Sequence, residues 1–322
     1  MATAIAHPNI ALVKYWGKRD LERNLPSTSS ISLTLAPFYT RTTVTADADR
    51  DDLWINGELI DGRPAERVFK YLDKLEPWRT PSTIVSEANF PIKAGLASSA
   101  SGFAALTLAA TAEYNQKRST AELSTLARQG SGSACRSLFG GWVEWPRGTR
   151  EDGLDSHARI VAPQDHWDVR MVVVVLHDGP KGVASTDGML RTQKTSPYYR
   201  GWVESNEADI APARKAILAR DLEALGTIME RSALRMHASM MSAEPPIRYW
   251  KSKSVWAMDA VENLRSRGYG AWWTMDAGPN VKVLCSAKDA DFVAKRFASI
   301  AKRVDILEPG GAAKLEPDST EE

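Results

Sequence analysis

Four short stretches of this 322-residue chain carry residue types that could do chemistry. The first is Gly95-Leu96-Ala97-Ser98-Ser99-Ala100-Ser101-Gly102, which opens a strongly apolar run. A helix N-terminus carries unpaired backbone N–H groups and partial positive charge. Glycines let such a backbone approach a phosphate, and serine hydroxyls add donors and can reach a metal ion. A plain helix entry capped by serines reads the same way, so this loop alone leaves both readings open. It is neither a Walker A sequence nor the dinucleotide GxGxxG pattern. The second stretch runs from Pro8 to Asp20, an apolar strand ending in Lys14, Tyr15, Trp16, Gly17, Lys18 and Arg19. Lys18 and Arg19 could neutralise an anionic ligand, or the strand could simply end at a solvated surface. The third is Gly130-Ser131-Gly132-Ser133-Ala134-Cys135-Arg136-Ser137. It is a second glycine-serine cradle, now with a guanidinium able to grip a carboxylate or phosphate through two bonds. One such loop could be a flexible connection; two in one chain favour a phosphate ligand. The fourth, Thr274 to Asn280, sets Asp276 at the end of an apolar strand before a Gly-Pro turn. The carboxylate could point into a cleft, or close an Asx-type turn.

These stretches need elements to position them. Alternation predicts strands over Ile31 to Ala36 and Tyr39 to Ala46, with Trp54 to Gly57 as a strand entering a turn. A helix is expected near Ala65 to Leu75. After the first cradle, Phe103, Leu106, Ala110 and Tyr114 recur at helical spacing. Ser119 with Glu122 forms a capping-box pattern, so a helix starts there and should stop before Gly130. Val169 to Leu176 reads as a buried strand. Helices follow near Glu204 to Leu218, Leu222 to Met236, Val255 to Arg267 and Asp289 to Ala301, with strands at Ala271 to Met275 and Val281 to Leu284. The pattern is α+β. A natural boundary follows the strand at 169 to 176, giving parts 1–178 and 179–310. A polar acidic tail, 311–322, is expected to fray.

Bulk composition narrows the class. Apolar residues are 43% and charged residues 25%, as in ordinary globular chains. A net charge of +1 makes no case for nucleic acid or membrane partners. Two distant cysteines, Cys135 and Cys285, argue against a disulfide scaffold and suit a reducing cytoplasm. The N-terminus reads as no signal peptide, and MVVVVL at 171 to 176 is too short to span a bilayer. The five histidines are scattered, which gives no His/Cys metal cluster, and His237 reads as a core residue. Eleven tryptophans read as packing residues.

Taken together, NIALVKYWGKRD, AGLASSASG, RQGSGSACRSLFGGWVEW and MDAGPN resemble the mevalonate diphosphate decarboxylase family of the GHMP kinase superfamily. Weaker echoes are Leu25-Pro26 through Leu35 and Ser185 through Met189. The resemblance runs from about residue 5 to about 300. It implies a two-part fold with a deep cleft between the parts, an N-terminal ribosomal S5 domain 2-like part and a C-terminal ferredoxin-like part. It implies ATP as co-substrate, Mg2+, and a homodimer. The implied reaction converts mevalonate 5-diphosphate and ATP to isopentenyl diphosphate, ADP, phosphate and carbon dioxide. By motif position, Asp276, Lys18 and Arg136 are the expected catalytic set, with Lys18 holding Asp276 ionised and Arg136 pinning the substrate carboxylate. Tyr15, Asn9, Ser131 and Ser133 would complete the substrate shell. Residues Gly95 to Gly102 would cradle the ATP phosphates, and Ser99 would reach magnesium through them.

Two departures leave an alternative. Lys93 stands where relatives usually carry small or uncharged residues, and would either touch phosphate or face solvent. The family arginine that holds the terminal phosphate maps to Asp73 or Lys74, so a decarboxylase of mevalonate 5-phosphate is the runner-up. A mevalonate 3-kinase, which stops after phosphorylation, fits less well because Asp276, Lys18 and Arg136 are all present. A non-catalytic nucleotide-binding protein would show decayed motifs, and none is decayed.

Overall fold

Two sheets organise the computed structural model, which describes residues 1–90, 98–179 and 182–317. The chain starts with eight strands: β1 (Ala2–Ala6), β2 (Asn9–Val13), β3 (Lys18–Asp20), β4 (Leu25–Pro26), β5 (Ser30–Ala36), β6 (Thr40–Thr45), β7 (Asp52–Ile55) and β8 (Glu58–Leu59). Helix α1 (Arg63–Leu75) and β9 (Thr83–Ala88) precede α2 (Ser98–Glu113), α3 (Thr120–Gly130) and the short α4 (Ala134–Ser137). Strands β10 (Trp142–Trp145), β11 (Arg159–Ala162) and β12 (Val169–Val175) lead to four helices, α5 (Ser185–Thr195), α6 (Tyr199–Ala219), α7 (Leu222–Met241) and α8 (Ser252–Ser266). The chain closes with β13 (Ala271–Met275), β14 (Val281–Ser286), α9 (Ala290–Phe297), β15 (Arg303–Pro309) and β16 (Lys314–Leu315).

The first sheet runs β16-β1-β6-β9-β7-β8, with β7 and β9 parallel and the other pairs antiparallel. Its inner face, with Ala4, Val44 and Ile84, packs on Leu72 of α1 and on Ala104 and Ala109 of α2. Small residues on α2 let that helix lie close to the sheet. The second sheet runs β11-β10-β5-β15-β12-β14-β13, with β2 also on β5. It draws strands from both halves of the chain. One face, including Leu33, Met171 and Leu284, is covered by α6 and α7 through Ile217, Leu225 and Met229. The other face, including Val172, Val281 and Val283, is covered by α8 and α9 through Val261, Leu264 and Phe297.

Gly226 lets α7 meet β13 closely. A Cβ there would fall 2.1 Å from Cγ of Trp272. Gly226→Ala should therefore destabilise by about 1–3 kcal/mol through overpacking, despite the better helix propensity of alanine. Chemical denaturation would show this, and a variant as stable as the parent would contradict the tight seat.

Several expectations hold, among them α1, the Ser119/Glu122 capping box and the strands β12 to β14. Others change. Helix α3 includes Gly130, and Ser131 takes the extended conformation that ends it. The last helix stops at Phe297, not Ala301. Residues 303–309 form a strand inside the second sheet, between β5 and β12. The tail expected to fray pairs with β1 at Lys314 and Leu315, where backbone hydrogen bonds compensate for weak apolar content. Residues 318–322 of that tail lie outside the described residues.

Candidate active site

The ends of β2 and β13 converge on one cleft. Full burial of β2 fixes its direction, and its exit is pinned at Lys14, whose N–H donates to Ser232 Oγ at 2.9 Å and whose carbonyl accepts from Asn206 at 3.1 Å. Beyond β13 the chain turns sharply, with Gly278 N–H donating to the Asp276 carbonyl at 2.7 Å. The Asn280 side chain then staples this turn to the end of β12, accepting from the N–H groups of Leu176 and His177 and donating to the His177 carbonyl. Asn280 thus does the turn-closing work, and the Asp276 carboxylate is left for other partners.

Those partners are two ammonium groups. Lys14 Nζ donates to Asp276 Oδ1 at 2.6 Å, and Lys282 Nζ donates to Oδ2 at 3.1 Å. Both lysines are 1% exposed, while the aspartate side chain is 28% exposed toward the cleft. This corrects the expected Lys18–Asp276 pairing: the side chain on the strand exit reaches the aspartate, and the one four residues further on does not. Burial alone would raise the Asp276 pKa, but Lys14 and Lys282 outweigh it and hold the carboxyl well below its usual range. Burial pulls Lys14 down to about 8, against the attraction of Asp276.

Arg136 stands on α4, 2% exposed. Its Nε and one terminal nitrogen donate to Asn9 Oδ1 at 3.2 and 3.1 Å, and the other donates to Ser30 Oγ at 2.6 Å. Asn9 is itself oriented by donating to Ser137 Oγ at 2.8 Å and the Ser133 carbonyl at 3.2 Å. Trp145 lies beneath the guanidinium, 5.7 Å from its ring centroid. Three bonds to protein leave two of the five guanidinium N–H groups for an anion. Tyr15 packs at a tilt against Trp145, ring centroids 4.8 Å apart, and its buried hydroxyl has no hydrogen-bond partner among the described residues. Gly132 makes that placement possible, since a Cβ there would sit 2.7 Å from the Tyr15 hydroxyl. Ser131 Oγ donates to Ser99 Oγ at 3.3 Å, joining the two serine-rich stretches. Cys135, beneath them, is inert as a nucleophile, because burial pushes its thiol up to about 12.

Lys18 and Arg67 face the same cleft. Neither has an acidic partner among the described residues; Arg67 donates to the Gly130 carbonyl at 2.6 Å and lies over the Phe103 ring. Burial, with the charge of Arg67 added, pulls half-buried Lys18 down to about 8. Asp73 and Lys74, to which the family arginine maps, do not line this cleft, whereas Arg67 does. It comes from α1, two turns earlier, while Asp73 is ion-paired with Arg79 at 2.8 Å. Arg19 points elsewhere, donating to the carbonyls of Arg147 and Arg150.

The cleft encloses about 320 Å³. Among the described residues, Lys14, Lys18, Arg67 and Arg136 line it against a single carboxylate, Asp276. Such an excess of positive charge calls for an anionic ligand. Asn9, Tyr15, Ser131 and Ser133 line it too, as does Ser99 at the start of α2. Ser185 and Thr186, at the start of α5 and part of the weaker family echo, line it as well, as does Asn24, which carries no signal in the sequence. A second recess of about 230 Å³ adjoins it, sharing Ser99 and Arg67 and walled by Leu53, Ile55, Val68 and Phe103, with Ser98 and Gly102 at its edge. Within the first cradle, Ser101 is fully buried and its hydroxyl pairs with Thr40 Oγ1 at 2.7 Å, so it serves packing rather than the cleft. Ala100 is buried as well. Gly95, Leu96, Ala97 and Lys93 lie outside the described residues. No cluster of three or more His, Cys, Asp or Glu side chains able to hold a metal occurs among the described residues. His237 is buried against Tyr249 and Trp250, and burial lowers its pKa to about 3.

Residues 6–158 match the diphosphomevalonate decarboxylase-like N-terminal domain, and residues 171–312 match the mevalonate 5-diphosphate decarboxylase C-terminal domain. The diphosphomevalonate decarboxylase of Gibberella zeae is 40% identical over 99% of this chain and 90% of its own length. The crystal structure of mevalonate diphosphate decarboxylase from Staphylococcus aureus superposes with a TM-score of 0.92 at 36% identity, covering 98% of each chain. A structure of MDDEF in complex with MVAPP, AMPPCP and magnesium superposes with a TM-score of 0.91 at 38% identity, again over 98% of each chain. Matched in both halves and along nearly its whole length, the chain belongs to the diphosphomevalonate decarboxylase family.

Proposed function

We propose that this protein is a carboxy-lyase that uses ATP to convert mevalonate 5-diphosphate to isopentenyl diphosphate, ADP, phosphate and carbon dioxide. The observation that carries the assignment is an ionised aspartate set among four cleft-lining cations, three of which, Lys18, Arg67 and Arg136, form no ion pair among the described residues. Family membership supports the same reading, as does the binding of MVAPP, AMPPCP and magnesium by a similar structure.

Each residue has a role in that chemistry. The substrate hydroxyl is a poor leaving group, so ATP first converts it to a phosphate ester. Asp276 accepts the hydrogen bond of the hydroxyl and orients it toward phosphorus. A carboxylate this acidic takes the proton only as the hydroxyl oxygen bonds to phosphorus. Arg136 then grips the substrate carboxylate with its two remaining N–H groups, so that carbon dioxide and phosphate leave in a fixed geometry. Lys18 and Arg67 hold the phosphorylated end, and Tyr15, Asn9, Ser131 and Ser133 complete the shell. The start of α2, with Ser98, Ser99 and Gly102, cradles the triphosphate, and the adjoining apolar recess takes the base. Ser99 would approach a magnesium ion through the bound phosphates, and the ion would neutralise their charge.

Two outcomes are expected. Lys14 and Lys18 must both be protonated to hold aspartate and phosphate, and both sit near 8. The rate constant kcat/KM should therefore fall as pH rises through about 8. Bound diphosphate favours charged Lys18, so the corresponding limb of kcat should lie at higher pH. A kcat/KM profile flat to pH 10 would contradict the roles of both lysines. Arg67→Gln should lower kcat/KM for the diphosphate by about 10- to 100-fold, the loss of a charge-assisted contact. An unchanged KM would place the terminal phosphate elsewhere.

A turnover assay tests the assignment. Mevalonate, its 5-phosphate and its 5-diphosphate are each supplied with ATP and magnesium, and ADP and carbon dioxide are followed. Both products from the diphosphate alone are expected. Both from the monophosphate would overturn the diphosphate assignment, and ADP without carbon dioxide would indicate a kinase. The division into parts 1–178 and 179–310, a homodimeric assembly and a cytoplasmic location belong to the same proposal. Light scattering of the purified protein would test the dimer. No helix among the described residues is long and apolar enough to cross a membrane.

A further inference from the structure

Lys282 lies in the middle of the sequence Val-Lys-Val-Leu-Cys, where alternation would ordinarily place a lysine on a solvated face. Here both faces of the sheet are covered. Val281 and Val283 face α8 and α9, and Lys282 shares the side of Leu284, beneath α7. Its neighbours across the sheet are Val173 of β12 and Thr274 of β13. An ammonium in such a place is expensive to bury, and an apolar side chain of the same length would pack there at lower cost. Its side chain bonds to Oδ2 of Asp276, 3.1 Å away, while Lys14 already holds Oδ1. Lys282 does not itself line the cleft. The remaining charged or titratable groups around Asp276 are Arg136 of α4 and His237 of α7.

We propose that Lys282 is a positioning residue, gripping the second oxygen of Asp276 so that the carboxylate presents one fixed face to the reacting hydroxyl. Lys14 alone would allow the carboxylate to rotate about its Cβ–Cγ bond. Two ammonium groups on opposite oxygens remove that freedom, which matters for a group that must meet a hydroxyl in one geometry. The inference rests on the reading that Asp276 serves that hydroxyl.

Lys282→Met tests it in the full-length protein. Methionine keeps the length and removes the charge while Lys14 still pairs with Asp276, so the variant should fold with a thermal midpoint at or somewhat below the parent's. Turnover should fall about tenfold or more, in line with coupling between contacting residues, with KM for the diphosphate and ATP within about twofold of the parent. The acid limb of kcat should move to higher pH, because Asp276 loses one of the charges that keep it ionised. In an Asp276→Asn background the same substitution should change kcat by less than about twofold, since its effect passes through the carboxylate. Unchanged turnover in Lys282→Met would overturn the proposal. So would a loss that adds in full to that of Asp276→Asn, the mark of a role that does not pass through the carboxylate. Should Lys282→Met fail to fold, Lys282→Gln enters the same cycle with the same criteria. Near-normal turnover in Asp276→Asn would remove the underlying reading instead, so the two failures are distinct.

Discussion

Asp276→Asn should fold and bind ATP yet lose turnover by at least about a hundredfold, the low end for a positioned acid–base group. Asparagine matches aspartate in shape and can still accept from one lysine. It brings no negative charge, so Lys14 and Lys282 lose the carboxylate that offsets their burial. Lys14, already near 8, should then release its proton closer to neutrality. The variant thus removes the hydroxyl-orienting group and neutralises part of its surroundings. Steady-state turnover together with calorimetric ATP binding checks this. Turnover within a few-fold of the parent, with ATP bound normally, would dismiss Asp276 as the group that serves the hydroxyl.

Arg136→Lys should be nearly as damaging, by about a hundredfold or more in kcat/KM, because several charge-assisted hydrogen bonds disappear together. The guanidinium meets Asn9 with two N–H groups and Ser30 with a third, and a lysine in the same space cannot span both. Asn9 Oδ1 would be left buried without its donor, and the fork that fixes the carboxylate would be replaced by a point charge. Loss in kcat as well as KM is expected, since the carboxylate must be held in line for its carbon–carbon bond to break. Unchanged kcat and KM would show that Arg136 does not hold this group.

Which lysine meets Asp276 is not legible in the sequence. Lys14 and Lys18 both follow an apolar strand in the sequence and flank the same Tyr-Trp-Gly. Which of them meets Asp276 depends on where β2 ends, and the end is set by hydrogen bonds to Ser232 and Asn206. Those partners lie more than 190 residues away on α6 and α7. Arg67 is hidden in the sequence for a similar reason. It is one of several charged residues on a strongly amphipathic helix, and only the placement of α1 beside the second cradle turns it toward Lys18.

By itself the sequence determined the α+β class and the family, and it singled out Asp276, Arg136, Tyr15, Ser99, Ser131 and Ser133, which the structure brings to one cleft. These are local signals: a cap, a turn, a cluster of small residues, each written in a few consecutive positions. The tertiary structure alone decided which cations share Asp276, which arginine faces Lys18, and that Ser101 turns into the core. It also placed β15, where only Leu307 is fully buried and no alternation marks a strand, inside the second sheet. Such matters depend on contacts between residues distant in the chain. Burial and long-range hydrogen bonding set them, and neither is encoded in spacing along a single segment.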